Sequence, residues 1–126
     1  MTDGLRIGAA AAMLGLDSHV LRHWEDMGLL HPPRSTSGHR VYDDELITRA
    51  RLIRVCQRAG MALAEIRALG TAGKARRAEL VAAKRAEIHG AVEQLHRADE
   101  FLEHQLACRH PVASECEQCS GFASGQ

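Results

Sequence analysis

A long proline-free segment near the C-terminus constrains the fold of this chain more than any other feature. Residues 75–107 contain no proline, and only Gly90 interrupts a composition of good helix formers. The segment predicts one helix of about 33 residues, roughly 50 Å long. The rest of the chain forms too small a domain to cover one face of such a helix along its whole length. If the helix projects from that domain, its apolar face needs a packing partner elsewhere.

The apolar residues of this segment repeat at helical spacing along one face. Six of them form the stripe, four at intervals of seven: Val81, Ile88, Val92, Leu95, Leu102 and Leu106. The natural partner for such a stripe is the same helix of a second chain, which predicts a homodimer held by a coiled coil. The spacing leaves the strand direction open, and an arm that folds back on its own domain is the alternative.

Two short helical patterns separated by a glycine occupy the start of the chain. The first covers Ile7–Leu14, and the second begins at an N-cap formed by Asp17 or Ser18 and ends before Gly28. This is the pattern of a helix-turn-helix, in which the second helix reads DNA. A small helical hairpin without DNA is the alternative. The candidate DNA contacts on the second helix are Ser18, His19, Arg22 and His23.

The next segment has the composition of a small β-hairpin, or wing. Prolines at 32–33 forbid helix, and the turn-forming residues 35–38 separate two short extended pieces at 29–31 and 39–42. Arg34 and Arg40 flank the tip, where guanidinium groups can bridge phosphate oxygens. A solvated loop with two incidental arginines is the alternative.

The remaining sequence divides the chain into three parts. Two more helical patterns follow the wing, Cys56 among them as a small buried residue, and a glycine-rich linker at 70–73 closes the first part. We therefore expect a DNA-binding domain over residues 1–70, a dimerisation helix over 74–107 and an effector-sensing tail over 108–126. The expected fold is dominated by α-helix.

Three of the four cysteines lie in the tail, in the pattern Cys-x-His-x5-Cys-x2-Cys. These candidate ligands are Cys108, His110, Cys116 and Cys119. Thiolates suit copper(I) or zinc and imidazole suits zinc, so the cluster predicts a thiophilic metal ion. Thiol oxidation through the Cys-x-x-Cys pair and a structural zinc knuckle are the alternatives. The histidines of the long helix, His89, His96 and His104, are expected as solvated or interfacial side chains.

Composition narrows the function classes. The chain has 16 basic and 16 acidic residues, so DNA binding must come from local placement of arginines rather than from bulk charge. It has no apolar run of about 18 residues and no secretory signal, which predicts a cytoplasmic protein without a membrane span. A small thiol oxidoreductase would need a βαβ context that the sequence lacks, so no enzyme is expected. A metal-buffering or adaptor coiled coil is a third class.

Taken in order, these pieces resemble the MerR family of bacterial transcription regulators over essentially the whole chain. The matching stretches are Arg6-Ile7-Gly8, Leu21-Arg22-His23-Trp24-Glu25, Gly28-Leu29-Leu30, Gly38-His39-Arg40-Val41-Tyr42 and Gly60-Met61-Ala62-Leu63-Ala64-Glu65-Ile66. The resemblance implies a winged helix-turn-helix in which Arg22 serves the major groove while Arg40 and Tyr42 grip the backbone. Arg34 and His39 are further candidates. His23, Trp24 and His39 stand where the family usually has tyrosines.

The resemblance also implies a mechanism. A dimer joined by an antiparallel coiled coil binds a pseudo-palindromic operator in double-stranded promoter DNA, and it affects RNA polymerase indirectly by bending and untwisting the spacer. Cys108 and Cys116 match the Cys-x7-Cys metal loop of the family's metal sensors. Residues 73–77, Gly-Lys-Ala-Arg-Arg, lack the cysteine or serine common there, so Cys119 or His110 is expected to complete the site. The family's iron–sulfur sensors use four compact cysteines, a pattern this tail does not match.

Overall fold

The computed structural model describes residues 4–125; residues 1–3 of the expected DNA-binding domain and residue 126 of the expected tail lie outside the described residues. The chain forms two compact units, Met1–Val81 and Ala82–Gln126. Within the described part, six α-helices and one 3-10 turn occur, and the only β pairing consists of isolated bridges. The mainly helical fold expected from the sequence is confirmed. Across residues 4–125, no helix is both long and apolar enough to cross a membrane.

Helices α1 (Ile7–Leu14) and α2 (Ser18–Asp26) form the predicted helix-turn-helix. Helix α1 ends at Gly15, which adopts a left-handed backbone with φ of 69°, a conformation that favours glycine. Asp17 occupies the N-cap position of α2. Leu21 and Trp24 of α2 are buried, so the opposite face of this helix is left toward solvent.

The wing is narrower than the sequence predicted. Arg34 pairs with Arg40, and the Val41 N–H donates to the Pro33 carbonyl at 2.9 Å. Residues 29–31, expected as the first arm, do not pair with 39–42. The backbone of Tyr42 pairs with Leu5 instead, through two hydrogen bonds of 2.7 Å, and the Leu29 N–H donates to the Trp24 carbonyl at 2.9 Å. The turn at the tip is closed by Gly38, whose φ is 83°.

Helices α3 (Asp44–Arg58) and α4 (Leu63–Thr71) complete the first unit. The Asp43 side chain caps α3 by accepting from the Leu46 N–H at 2.9 Å. Helix α4 continues through residues 70–71, so the expected linker shrinks to 72–73. The core of the unit consists of Ala10, Ala11, Leu21, Trp24, Leu30, Tyr42, Leu46, Ile47, Ala50, Ile53 and Ile66, with Cys56 partly buried against it.

Helix α5 (Lys74–Ala107) is the long helix predicted from the sequence, and it runs from the first unit into the second. In the second unit, a 3-10 turn (Ala113–Glu115) and helix α6 (Glu117–Ser124) follow it. The α6 helix packs on α5 through an edge-to-face contact between Phe101 and Phe122, with ring centroids 5.5 Å apart.

Candidate metal centre and nucleic-acid interface

The predicted DNA contacts of α2 and the wing fall mostly on exposed surface. His19, Arg22 and His23 are exposed on α2, and Ser18 is partly exposed at its start. On the wing, Arg34 and His39 are exposed and Arg40 is partly exposed. Tyr42 differs, because only 1% of its surface is exposed and it belongs to the core. The structure therefore leaves no open path from the Tyr42 ring to a DNA backbone.

Arg40 and Tyr42 converge on Glu25, a residue of α2 that the sequence reasoning did not single out. The Arg40 Nε donates to both carboxylate oxygens of Glu25, at 3.0 Å and 2.7 Å. The Tyr42 hydroxyl donates to the same carboxylate at 3.3 Å. Burial, followed by the negative charge of Glu25, raises the pKa of Tyr42 above its usual range. Two acidic residues, Glu25 and Asp26, end a helix that also carries Arg22, and they are the signal that could have indicated this network.

The charge arrangement of this face suits an anionic partner. Arg40 neutralises Glu25, the acidic side chain that would otherwise repel phosphates beside Arg22. The Arg34 guanidinium donates through Nη1 to the Gly38 carbonyl at 3.0 Å and so holds the two sides of the wing together. The face thus concentrates positive charge locally on a chain that is neutral overall.

Four potential metal ligands converge in the second unit. One ligand atom from each of His104, Cys108, Cys116 and Cys119 lies within 4.8 Å of every other. His104 lies in the last turns of α5, Cys108 directly follows that helix, and Cys116 and Cys119 lie at the start of α6. Cys116 and Cys119 are buried.

The structure brings three of the four predicted ligands together and adds a histidine from a different place. His110 is exposed and outside this group, with its Nδ1 3.6 Å from the Cys108 Sγ. His104, expected as a solvated or interfacial side chain, is in the group instead. The signal for it was the spacing of His104 and Cys108, because residues four apart share one face of a helix.

Short contacts link the four side chains. The Sγ atoms of Cys108 and Cys119 lie 3.8 Å apart, and the Cys116 Sγ lies 3.5 Å from the His104 Nε2. The Gln105 Nε2 donates to the Cys119 Sγ at 3.1 Å from outside the cluster. The cluster therefore has an outer hydrogen-bond donor that orients one of its sulfurs.

The two buried thiols have opposite electrostatic environments. The backbone N–H of Cys119, followed by the His104 ring, lowers the pKa of Cys116 to about 6. Burial raises the pKa of Cys119. Since the thiolate is both the metal-binding and the reactive form, Cys116 is the cysteine best prepared for either chemistry. Three sulfurs and one imidazole nitrogen form a donor set that fits zinc and other thiophilic ions.

A recognition helix beside a cationic wing defines a winged helix-turn-helix DNA-binding protein. The family described as "MerR HTH family regulatory protein" matches residues 5–71, and the one described as "MerR, DNA binding" matches residues 47–105. The chain belongs to the MerR family, whose matching model is described as that of an HTH regulatory protein.

Known relatives cover the chain to different extents. It is 30% identical to a probable heavy metal-dependent transcriptional regulator of Haemophilus influenzae, over 94% of this chain and 98% of that protein. It is 38% identical to a ZntR homolog of the same species, over 52% of this chain and 49% of that one. The chain thus spans about half the length of the ZntR homolog, and 27% of a nodulation protein NolA from Bradyrhizobium sp..

A solved structure of a metal-bound relative has the same fold. The transcription regulator PbrR691 from Ralstonia metallidurans CH34, in complex with lead(II), superposes with a TM-score of 0.61 and 26% identity. The match covers 94% of this chain and 98% of that one. Regulators similar to this chain along almost their whole length therefore include ones described as metal-dependent or metal-bound.

Proposed function

We propose that this chain is a homodimeric transcription regulator that changes the geometry of promoter DNA in response to a thiophilic metal ion. The observation that carries the proposal is the convergence of His104, Cys108, Cys116 and Cys119 within 4.8 Å of one another. The heavy metal-dependent relative and the lead-bound structure support it. The ion, when bound, would supply the bonds that tie the tail to the end of α5.

The DNA-binding roles follow from the exposed surface of the first unit. Arg22, with Ser18, His19 and His23 around it, faces base edges in the major groove. Arg34, His39 and Arg40 contact backbone phosphates from the wing. Tyr42 supports Arg40 through Glu25 rather than touching DNA itself, because its ring is in the core. DNA recognition is thus assigned to residues 1–70. The protein would act in the cytoplasm, where bacterial promoter DNA is found.

The open apolar side of α5 supports dimerisation over residues 74–107. Its stripe residues are exposed, with Leu95 at 68%, Leu102 at 61% and Leu106 at 90%. Since α6 covers α5 through Phe101 and His104, which lie away from the stripe, the stripe stays available to a second copy. An antiparallel pairing of two α5 helices would place two DNA-binding units on a pseudo-palindromic operator.

In the regulatory step, metal binding shifts the equilibrium between two conformations of the dimer. Both states hold the operator, and the sensing tail, residues 108–126, favours one of them when its ligands are tied together. Bending and untwisting the spacer costs on the order of 1–6 kcal/mol, which additional backbone contacts offset. RNA polymerase responds to the realigned promoter rather than to the protein's own chemistry.

Promoter transcription with a ligand-deficient control tests this proposal. Operator fragments are first selected by binding, and transcription from them is then measured while zinc or copper(I) is titrated. We expect a metal-dependent change with the wild type. A variant with all three tail cysteines changed to serine should bind the operator equally well and ignore metal. A metal response that survives in this variant would overturn the proposal.

A redox signal at the same cysteines is the second candidate, favoured by the 3.8 Å separation of the Cys108 and Cys119 sulfurs. Oxidation by hydrogen peroxide would join the two sulfurs in an S–S bond and break the O–O bond of the peroxide. The two thiol protons would leave with the peroxide oxygens as two molecules of water. Replacing metal by hydrogen peroxide in the transcription assay distinguishes the two. A response to peroxide with none to metal would favour this candidate.

A further inference from the structure

We infer that His104, Cys108, Cys116 and Cys119 form a four-ligand site closed within one chain, which selects a tetrahedral divalent ion such as zinc over copper(I). The inference rests on the proposed metal response and specifies its ion. It makes His104 the residue that determines selectivity.

The observed separations match the edges of a small tetrahedron. With metal–sulfur bonds of about 2.3 Å and metal–nitrogen bonds of about 2.0–2.1 Å, tetrahedral ligands lie about 3.8 Å apart for two sulfurs and about 3.6 Å apart for sulfur and nitrogen. The Cys108 and Cys119 sulfurs are 3.8 Å apart, and the Cys116 sulfur is 3.5 Å from the His104 Nε2. Two opposite edges of one four-ligand polyhedron therefore already have the required length.

A linear two-thiolate site, the low-coordinate arrangement that copper(I) accepts, needs a different geometry. It places its two sulfurs two bond lengths apart, about 4.6 Å if its bonds were as long as zinc–sulfur bonds of about 2.3 Å. The Cys108 and Cys119 sulfurs, 3.8 Å apart, would have to separate to form such a site. Such a site would also leave His104 and one thiol without a role, whereas a tetrahedral ion uses all four donors.

All four donors come from a short stretch of a single chain. They span residues 104–119 and belong to the end of α5 and the start of α6. The beginning of α5, residues 73–77, contains neither cysteine nor histidine nor carboxylate. Arg76 is paired with Glu79 at 3.0 Å, and Arg77 adds a positive charge that would repel a cation there. The ligand set of this chain is thus complete without a donor from the start of a partner's α5.

The selectivity of His104 is tested by comparing ions of different coordination on the full-length chain. Reduced protein is titrated anaerobically with cobalt(II), zinc and copper(I), with chelators as competitors and cobalt d–d absorption as the structural readout. We expect one cobalt ion per chain with the intense visible bands of tetrahedral coordination. His104→Gln should weaken zinc and cobalt binding by more than about 100-fold, beyond the effect of outer-shell changes, while copper(I) affinity changes by less than about 3-fold.

Two further variants separate a ligand role from a folding role. His110→Gln, at the neighbouring histidine outside the group, should keep the wild-type cobalt spectrum. His104→Cys should restore tetrahedral absorption, shifted as expected for a fourth thiolate. Unchanged cobalt bands in His104→Gln, or equal losses of zinc and copper(I), would overturn the inference.

Mixing variants tests closure within one chain. Chains carrying His104→Gln and chains carrying Cys119→Ser are unfolded together, refolded and titrated with cobalt. A closed site predicts no recovery of the tetrahedral bands, and recovery would show ligands shared between chains. These readouts are independent of transcription. If cobalt binds with tetrahedral bands but transcription does not respond to metal, the proposed function is wrong and the inference stands. If transcription responds to metal but the cobalt spectrum of His104→Gln is unchanged, the inference is wrong and the proposed function stands.

Discussion

The Arg40 Nε lies 2.7 Å from one carboxylate oxygen of Glu25 and 3.0 Å from the other, so a single guanidinium joins the wing to the recognition helix. Glu25 is largely shielded from water, with 11% of its side chain exposed. The remaining nitrogens of Arg40 are left for another acceptor. The wing and α2 are therefore oriented relative to one another by the same side chain that is expected to contact phosphate.

Arg40→Ala is expected to weaken DNA binding and to lower the stability of the first unit. Loss of one phosphate contact should reduce affinity similarly for all sequences and lower the salt slope of binding by about one unit. The charge-assisted bonds to Glu25 contribute about 1.5–3 kcal/mol to folding. Fluorescence anisotropy at several salt concentrations and urea unfolding measure the two effects.

Arg76→Ala is the matched control for that change, because Arg76 also forms an ion pair, with Glu79 at 3.0 Å, on an exposed part of α5. It removes the same charge but should leave the salt slope and the unfolding midpoint nearly unchanged. Equal slopes for Arg40→Ala and the wild type would remove Arg40 from the DNA interface.

The Tyr42 hydroxyl should lose its proton only at a higher pH than an ordinary tyrosine does. Burial and Glu25 raise its pKa above the usual range, so the folded state holds the proton more tightly than the unfolded state. The stability this contributes is present below about pH 10, the usual tyrosine value, and is lost as the pH rises further. Tyr42 is the single tyrosine, so its phenolate absorption should appear together with unfolding. Phenolate formation at the usual pH in folded protein would contradict the described burial.

Charges placed on the α5 stripe should separate the subunits. Leu95→Glu combined with Leu102→Glu puts like charges at the expected seam, where the two side chains are 68% and 61% exposed in one chain. Sedimentation velocity should show a shift from dimer to monomer. Trp24 fluorescence should not change, since that residue is buried in the first unit.

A charge on the opposite side of the same helix provides the comparison. Ala86→Glu lies away from the stripe and should leave the dimer intact. Dissociation by this variant, or a dimer that survives both stripe charges, would contradict the assigned seam.

Gln105→Ala should weaken metal binding without removing a ligand. The Gln105 amide donates to the Cys119 Sγ at 3.1 Å. Because loss of such an outer hydrogen-bond partner weakens metal binding, we expect the zinc affinity to fall by about 10–100-fold. Competition with a chromophoric chelator gives the value. Gln94→Ala, on the same helix but away from the sulfurs, should bind zinc like the wild type. An unchanged zinc affinity in Gln105→Ala would show that this hydrogen bond does not tune the site.

Most of the fold was predictable because its signals are local. Helix α5 follows from an uninterrupted composition with seven-residue spacing, and the end of α1 follows from Gly15. The helix-turn-helix and the exposed position of Arg22 follow from the apolar spacing of α2. Each of these depends on residues within a few turns of one another, so hydrophobic periodicity and helix-end preferences were sufficient.

The wing shows where local signals stop being sufficient. Turn-forming residues correctly placed its tip at Gly38, but the pairing partner of the returning arm lay elsewhere in the chain. The backbone of Tyr42 pairs with Leu5, which precedes α1, so the first arm starts at Pro33 instead of Leu29. A pairing partner from a distant part of the chain cannot be read from the segment itself.

The sequence by itself determined the helical order, the recognition helix, the stripe on α5 and a cysteine-rich tail with the right donors for a soft ion. Only the tertiary structure decided that Glu25 holds Arg40 and Tyr42, and that His104 rather than His110 joins the cysteines. The Glu25–Arg40 and His104–Cys116 contacts join residues 15 and 12 positions apart. Such contacts exist because the wing folds onto α2 and α6 folds onto α5, and packing between elements, rather than local propensity, sets those positions.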